Sequence, residues 1–181
     1  MPTRALLLAV VAALHVAAPG RSSPLPNGLW NPMPGGYLAG YAADTGLDVA
    51  GFHLPVYAIA AGTIEYAEAG HTRWNGKGDS PYAVRLRLDA PIVWNDRRIT
   101  HVWYAHLREL AFEQRESDAT KRHVDAGERL GVSGMANGSP HLHLGMLLDD
   151  QVEQEDGTYL DEDEIRAVLG NLRNRTRLPA R

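Results

Sequence analysis

The stretch that most constrains the fold runs from Pro140 to Leu144 and reads Pro-His-Leu-His-Leu. Side chains alternate between the two faces of a β-strand, so His141 and His143 share one face and the leucines share the other. Two imidazoles about 7 Å apart on a leucine-backed strand suit a polar site better than a packed core. For an isolated His-x-His motif, an exposed polar strand face is the alternative.

Several segments before this stretch also have the patterns of β-strands. In residues 82–88, apolar side chains at alternate positions face one way, while Arg85 and Arg87 face the other. The other candidate strands are residues 56–59, 62–66 and 99–107. Short strands with glycine-containing turns predict a mainly β fold with an antiparallel sheet as its core.

His106 lies near the end of the 99–107 strand. Regular alternation places it on the face of Tyr104 and opposite Trp103 and Leu107. A single histidine at a strand end is more often an ordinary polar residue, so His106 is a candidate only in combination with other residues.

Two carboxylates lie close together in the segment Asp44-Thr45-Gly46-Leu47-Asp48-Val49. Leu47 and Val49 should face the core, so Asp48 emerges on the opposite side, and the Thr-Gly turn brings Asp44 near it. Such pairs are commonly solvated or cap the turn. A metal site is the other reading.

The chain is organised around one predicted domain at residues 37–150. Residues 19–36 read as an extended lead-in, and residues 151–181 read as an extension with a helix. Asp161 is the predicted N-cap, with Glu164 completing a capping box. Residues 71–80 and 113–123 are predicted surface loops that wall a groove.

Composition excludes several classes of site and partner. The chain has 181 residues and no cysteine, which rules out disulfides and thiolate ligands. Its 18 basic and 22 acidic side chains give a net charge of −4 without a basic face, so nucleic acid is not a predicted partner. The pattern gives no information on oligomeric state.

Residues 1–18 resemble a secretory signal peptide. Arg4 supplies a positive start, residues 5–18 are apolar apart from His15, and Val16-Ala17-Ala18 offers small residues for cleavage. An uncleaved membrane anchor is the alternative, but a spanning helix needs about 20 apolar residues. We therefore expect export, a mature protein that starts near Pro19, and no stable membrane anchor.

The order of these elements resembles the LytM-type (M23) zinc metallopeptidases. That family has, in order, a metal-binding His-x-x-x-Asp, a Pro-Val-x-Ala…Gly-Thr hairpin, a Tyr-Ala-His-Leu strand, a Val-x-x-Gly-x-x-x-Gly turn and a Pro-His-Leu-His. The matching residues here are Asp44 and Asp48, Pro55-Val56-Tyr57-Ala58 with Gly62-Thr63, Tyr104-Ala105-His106-Leu107, the turn within residues 124–131, and Pro140-His141-Leu142-His143. The resemblance covers about residues 40–147.

The resemblance implies a role for each matching residue. Asp48 and His143 match two ligands of one zinc ion per chain. His106 and His141 match the pair that orients the attacking water and stabilises the tetrahedral intermediate. The implied activity is an exported endopeptidase that cuts the peptide cross-links of bacterial peptidoglycan, in the periplasm, cell envelope or extracellular space.

Asp44 stands where the family has its first histidine ligand. A carboxylate can bind zinc, but its shorter side chain requires a closer backbone. Two carboxylates and one imidazole also neutralise the ion, which weakens it as a Lewis acid and makes manganese or another divalent ion possible. An active enzyme, a weakened enzyme and a metal-poor relative all stay open. His53 and His71 match no family position and are expected at the surface.

A second functional class is a LytM-domain factor that binds the wall or activates an amidase without hydrolysing peptide. Asp44 favours this alternative, whereas the intact remaining site positions favour the peptidase. An unrelated β-barrel that uses His-x-His for metal is a weaker third class, because a cupin would need a glutamate where Leu147 and Leu148 stand.

Overall fold

The computed structural model describes residues 21–40, 44–73 and 76–180, so the predicted signal peptide lies outside the described residues. Within them, nine strands pair antiparallel into one sheet. In chain order the elements are β1 (Tyr37–Leu38), β2 (Leu47–Ala50), β3 (Pro55–Tyr57), β4 (Gly62–Ala69), β5 (Tyr82–Trp94), β6 (Arg97–Leu110), β7 (His123–Val124), β8 (Arg129–Ala136), β9 (Ser139–Leu148) and the helix α1 (Glu162–Val168). The predicted mainly β, antiparallel fold is confirmed.

β9 pairs with three strands, namely β2, β8 and the long strand β6. Along the sheet the strands follow the order β1-β2-β9-β8-β6-β5-β4-β7, and β3 pairs with β8. β6 pairs with β9 through its first part and with β8 through its end. The motif-bearing strands β2, β6 and β9 are therefore close neighbours.

β5 and β6 form a hairpin that is longer than the predicted strands 82–88 and 99–107. Its two-residue turn, Asn95-Asp96, has φ values of +46° and +63°, as a type I′ turn requires. The tip extends away from the core, where Val93 is 76% exposed. Alternation of apolar and polar residues could predict only the buried part of the hairpin. At the tip the two strands are hydrogen-bonded to each other but none of their residues is fully buried, so no such alternation is required there.

The main core lies on the leucine face of β9. Leu142 and Leu144 are fully buried there, and α1 packs Ile165 into the same core. Burying such a side chain contributes about 1.5–3 kcal/mol. The predicted capping box of Asp161 and Glu164 is present. Among the described residues, no helix is long and apolar enough to cross a membrane.

The opposite face of the sheet carries a smaller cluster of Tyr66, Ala83 and Ala105, with Trp103 packed against it. Arg85 was predicted on a polar face, and the structure buries it here to 8% exposure. It can be buried because it forms ion pairs with Glu65 and Glu116. This second face is therefore partly closed, and the candidate site lies on it.

Candidate metal centre

The pairing of β2 with β9 places Asp48 beside both histidines of β9. Asp48 lies opposite His143 in the register, and Ala50 lies opposite His141. Oδ1 of Asp48 is 3.0 Å from Nδ1 of His143 and 3.6 Å from Nε2 of His141. The three side chains are only 10–11% exposed. One carboxylate and two imidazoles thus converge in a nearly dry part of the sheet.

Asp44 lies in the turn that leads into β2. Its carboxylate accepts a hydrogen bond from the backbone N–H of Thr45 at 2.7 Å, which fixes the side chain close to the strand. Ligand atoms of Asp44, Asp48 and His143 lie within 4.8 Å of one another. The turn therefore brings the shorter carboxylate close enough to join the other two.

Gly46 permits this close approach of the turn to β9. A Cβ atom at this position would lie 2.6 Å from Nε2 of His143 and 2.8 Å from the carbonyl oxygen of Leu144. A larger residue would therefore push the turn away from the imidazole. Among the described residues, Nε2 of His143 is buried and has no hydrogen-bond partner.

The three side chains fit a divalent metal ion. Zinc binds nitrogen and oxygen at about 2.0–2.2 Å, so neighbouring ligand atoms of a tetrahedral site lie about 3.3 Å apart. The atoms of Asp48 and His143 are already at 3.0 Å, and that of Asp44 needs only a small side-chain movement. Two carboxylates that converge in this way repel each other, and a cation between them removes the repulsion.

His106 lies where β6 changes its pairing partner. β6 pairs with β9 up to Ala105 and with β8 from Leu107 onward. Across the pairing with β5, Tyr104 lies opposite Val84, and Leu107 lies opposite Tyr82. Three residues along β6 therefore correspond to two along β5, so β6 contains one extra residue. This is a β-bulge, and His106 takes the left-handed conformation within it, with φ of +64°.

The bulge corrects the predicted facing of His106. Its ring centroid lies 5.0 Å from that of His141 and 5.9 Å from that of His143, on the face of Trp103 and not of Tyr104. Leu107 returns to the main core. The prediction was wrong at these two positions because strict alternation holds only where no residue is inserted.

His106 is a neutral imidazole at neutral pH. Burial, with smaller effects from His141 and His143, lowers its pKa to about 3. Its Nδ1 lies 3.3 Å from the hydroxyl oxygen of Thr72. Because Thr72 contacts Nδ1, the other ring nitrogen, Nε2, is available for a hydrogen bond with a bound ligand.

The hydrogen bonding of His141 determines its tautomer. Its Nδ1 lies 2.9 Å from the carbonyl oxygen of Ser139, which can only accept, so Nδ1 carries the proton. In the neutral ring, Nε2 then holds a lone pair on the side of Asp48. The site therefore combines three candidate metal ligands with an imidazole that can accept a proton.

Comparison with solved structures identifies the fold around this site. A Pseudomonas aeruginosa protein assigned to peptidase family M23 superposes with a TM-score of 0.52 and 20% identity, over 85% of this chain and 55% of that one. The chain has the M23 peptidase fold. It spans about half the length of that protein. No family model and no curated protein matches the sequence.

Two other solved structures similar to this M23-fold chain are peptidases. The catalytic domain of lysostaphin from Staphylococcus simulans is 25% identical, with a TM-score of 0.44 over 70% of this chain and 84% of that chain. A zinc-containing peptidase from Vibrio cholerae is 11% identical, with a TM-score of 0.43 over 79% and 39% of the two chains. The Pseudomonas aeruginosa structure confirms the predicted resemblance to M23 for the fold.

Within the M23 fold, the structure brings all five predicted site residues together. Asp44, Asp48 and His143 form one group, while His106 and His141 lie beside it. Their roles as ligands and proton carriers stay predictions. His53 is exposed next to Arg108, and His71 pairs with Glu68, so neither joins the ligand group.

Two residues near the site were not singled out from the sequence. The Trp103 ring packs edge-on against His143, with centroids 5.6 Å apart. Thr72 reaches His106 from a loop whose sequence carries no motif. The prediction that loop 71–80 walls a groove was the one signal that pointed toward Thr72.

Proposed function

We propose that this chain is an exported, metal-dependent endopeptidase that hydrolyses the peptide cross-links of bacterial peptidoglycan. The observation that carries the proposal is the convergence of Asp44, Asp48 and His143 beside two further imidazoles in an M23 fold. A surface cluster would not need such burial or a glycine fitted against an imidazole.

The five residues divide into two groups by the role that each would have in catalysis. Asp44, Asp48 and His143 supply the atoms that would hold zinc. When bound, zinc polarises the scissile carbonyl and lowers the pKa of the attacking water. The lone pair on Nε2 of His141 accepts a proton during attack, and Nε2 of His106 hydrogen-bonds the substrate. Both imidazoles must be neutral at the start, as burial ensures for His106.

Digestion of purified peptidoglycan tests this proposal. The purified protein, loaded with zinc, should release peptides with new amino termini at cross-links, as read by mass spectrometry. A chelator should stop the release, and added zinc or manganese should restore it. Release that continues in the chelator, or no release with any divalent ion, would contradict a metal-dependent peptidase.

The second candidate is a factor that binds the wall or activates an amidase. Asp44 favours it, because two carboxylates make the bound ion a weaker Lewis acid than a His/Asp/His set does. Such a factor would sediment with peptidoglycan or stimulate an added amidase without releasing peptides itself. The same digestion, run with and without an amidase, separates the two functions.

Export is proposed from the sequence pattern of residues 1–18. Mass spectrometry of protein recovered outside the cytoplasm should find an amino terminus near Pro19. Recovery of the protein in the cytoplasm with residues 1–18 attached would contradict export and would leave the proposed chemistry unaffected.

A further inference from the structure

The loop that follows β9 places the side chain of Gln154 against the candidate metal centre. Gln154 is half-buried and, with residues 70–73, lines a pocket of about 260 Å³ beside that centre. Its side-chain amide donates a hydrogen bond to the carbonyl oxygen of Thr45 at 2.8 Å. Thr45 lies between Asp44 and Gly46 in the turn that leads into β2. A side chain from the C-terminal part of the chain is therefore bonded to the turn that carries a candidate ligand.

Two glycines allow the turn and the amide to lie this close to β9. A Cβ atom at Gly145 would lie 3.0 Å from Nε2 of Gln154 and 3.4 Å from the ring of Trp103, so a larger residue there would displace the amide. Gly46 has the same function on the turn, where a Cβ atom would lie 2.6 Å from Nε2 of His143. The contact between Gln154 and the turn thus fits a space that the sequence keeps free on both sides.

The loop itself is fixed to β9, which sets the position of Gln154. The hydroxyl oxygen of Thr158 lies 2.8 Å and 2.7 Å from the carbonyl oxygens of Glu153 and Glu155, and it accepts a hydrogen bond from the N–H of Glu155 at 2.8 Å. Thr158 is in turn bonded to β9, because its carbonyl oxygen accepts from the N–H of Leu148 at 2.9 Å. Gln154 therefore projects from a loop anchored to the strand that carries the candidate histidine ligand.

The turn needs such a contact because its candidate ligand is short. An aspartate side chain reaches less far than a histidine side chain, so the backbone at Asp44 must lie closer to the metal. The hydrogen bond from the N–H of Thr45 to the Asp44 carboxylate lies within the turn and does not tie the turn to β9. In the part of the chain that the structure describes, Gln154 supplies the one side-chain hydrogen bond that reaches residues 44–46 from outside.

We infer that Gln154 is a positioning residue for Asp44. Its hydrogen bond to Thr45 holds the turn close to β9 and so allows the shorter carboxylate to reach the metal. Gln154 itself does not bind the ion. This inference rests on the metal centre of the proposed function, because it concerns how one candidate ligand of that centre is held.

Zinc affinity, measured by competition with a chelator, tests the inference without relying on activity. Gln154→Met keeps a side chain of similar length but cannot donate a hydrogen bond. It should still bind about one equivalent of zinc, with an affinity about threefold to tenfold lower than that of the wild type. Gln151→Met, at an exposed glutamine of the same loop, is the matched control and should bind like the wild type. Equal affinities in Gln154→Met and the wild type would overturn the inference.

The same substitution in an Asp44→His background separates positioning from a general structural role. A histidine reaches the metal without the turn being held so closely, so Gln154→Met should there reduce zinc affinity by less than about twofold. A purely structural role would reduce the affinity by the same factor in both backgrounds, and that result would overturn the inference.

Hydrogen–deuterium exchange of the metal-free protein measures the turn directly. A fragment containing residues 44–48 should exchange faster in Gln154→Met than in the wild type or Gln151→Met, and a fragment from β6 should be unchanged. Gly145→Ala, whose methyl group would lie 3.0 Å from the amide, should produce the same local change. Faster exchange in β6 as well would indicate general loosening of the fold and would overturn the inference.

Failure of the inference can be distinguished from failure of the proposed function. A wild type that binds no zinc would contradict the metal centre and, with it, the role of Gln154. Zinc binding that does not change in Gln154→Met would contradict the role of Gln154 alone and leave the proposed function intact.

Discussion

The two sides of the candidate site are built in different ways. Asp48 and His143 stand opposite each other on paired strands, and their sequence neighbours Leu47 and Leu144 are fully buried. Thr72 and Glu153 stand on loops. Side-chain hydrogen bonds connect those loops to the rest of the site: Thr72 contacts His106, Arg85 donates to the carbonyl oxygen of Val152, and Gln154 donates to that of Thr45.

This difference assigns metal binding and substrate positioning to separate parts of the molecule. A ligand pair fixed by strand pairing and core burial is held rigidly, as a metal site requires. Loops on a rigid sheet can vary without disturbing the core, and they commonly carry specificity. Substitutions at the paired residues of β2 and β9, here called the strand side, should therefore remove the metal. Substitutions in the loops that carry Thr72 and Glu153, here called the loop side, should leave the metal bound.

The largest effect is expected from His143→Ala, which removes a ligand from the strand side. Bound metal should fall from about one equivalent to near zero, and peptidoglycan digestion should fall more than about 100-fold. Elemental analysis and a digestion assay measure these changes. His53→Ala, at an exposed histidine outside the ligand group, is the matched control. Metal retained by His143→Ala would place the ion elsewhere.

Gly46→Ala should weaken the same side without removing a ligand. The new methyl group would lie 2.6 Å from Nε2 of His143, so the ring or the turn must move. Metal affinity, measured by competition with a chelator, should fall about 10- to 100-fold. Gly76→Ala is the control, because its methyl would approach only the side chain of Asp79. Unchanged affinity in Gly46→Ala would show that the fit at this turn is not needed.

Glu65→Gln tests the ion-pair network behind the loop side. The pKa of Glu65 is lowered from 4.5 to about 2, chiefly by its hydrogen bond with His101; burial opposes this effect and Arg85 adds to it. A lowered folded-state pKa means that the network stabilises the fold above pH 4.5 and loses this contribution as the pH falls toward 2. The contribution is about 1–3 kcal/mol.

Urea unfolding at several pH values measures this dependence. The wild type should lose more unfolding free energy than Glu65→Gln as the pH falls through this window, and Glu155→Gln should behave like the wild type. Bound metal at neutral pH should be unchanged in Glu65→Gln. Identical pH profiles for wild type and Glu65→Gln would mean that the network does not support the loop side.

Thr72→Val should have the smallest effect of the four. It removes the hydroxyl that contacts Nδ1 of His106, so the ring loses a partner that orients it. We expect kcat to fall about threefold to tenfold, with KM and metal content unchanged. Thr72→Ser should restore kcat. Equal loss in Thr72→Val and Thr72→Ser would indicate that the side-chain methyl matters and the hydroxyl does not.

The strand side of the site could be predicted from the sequence. The alternation in Leu142-His143-Leu144 and in Leu47-Asp48-Val49 distinguishes the two faces of each strand, because the leucine and valine face packs into the main apolar core. The order of the motifs then indicates which strands belong together. Strand pairing itself follows from the resemblance to M23 and not from any local pattern.

The loop side could not be predicted in the same way. The bulge at His106 arises where β6 changes partner, and a change of partner leaves no local mark in the sequence. The burial of Arg85 depends on Glu65 and on Glu116, which is 31 residues away. Such contacts between distant residues determine the pocket, so its lining became visible only in the structure.

The central claim is that Asp44 serves with Asp48 and His143 as a metal ligand. The metal content of the purified protein tests this claim most directly. The protein is purified without added metal, dialysed, and analysed for elements beside Asp44→His and Asp44→Ala. We predict about one equivalent of divalent metal in the wild type and in Asp44→His, and much less in Asp44→Ala. A wild type without metal, together with an Asp44→His variant that gains it, would contradict the claim and leave the chain as a binding or regulatory protein on an M23 fold.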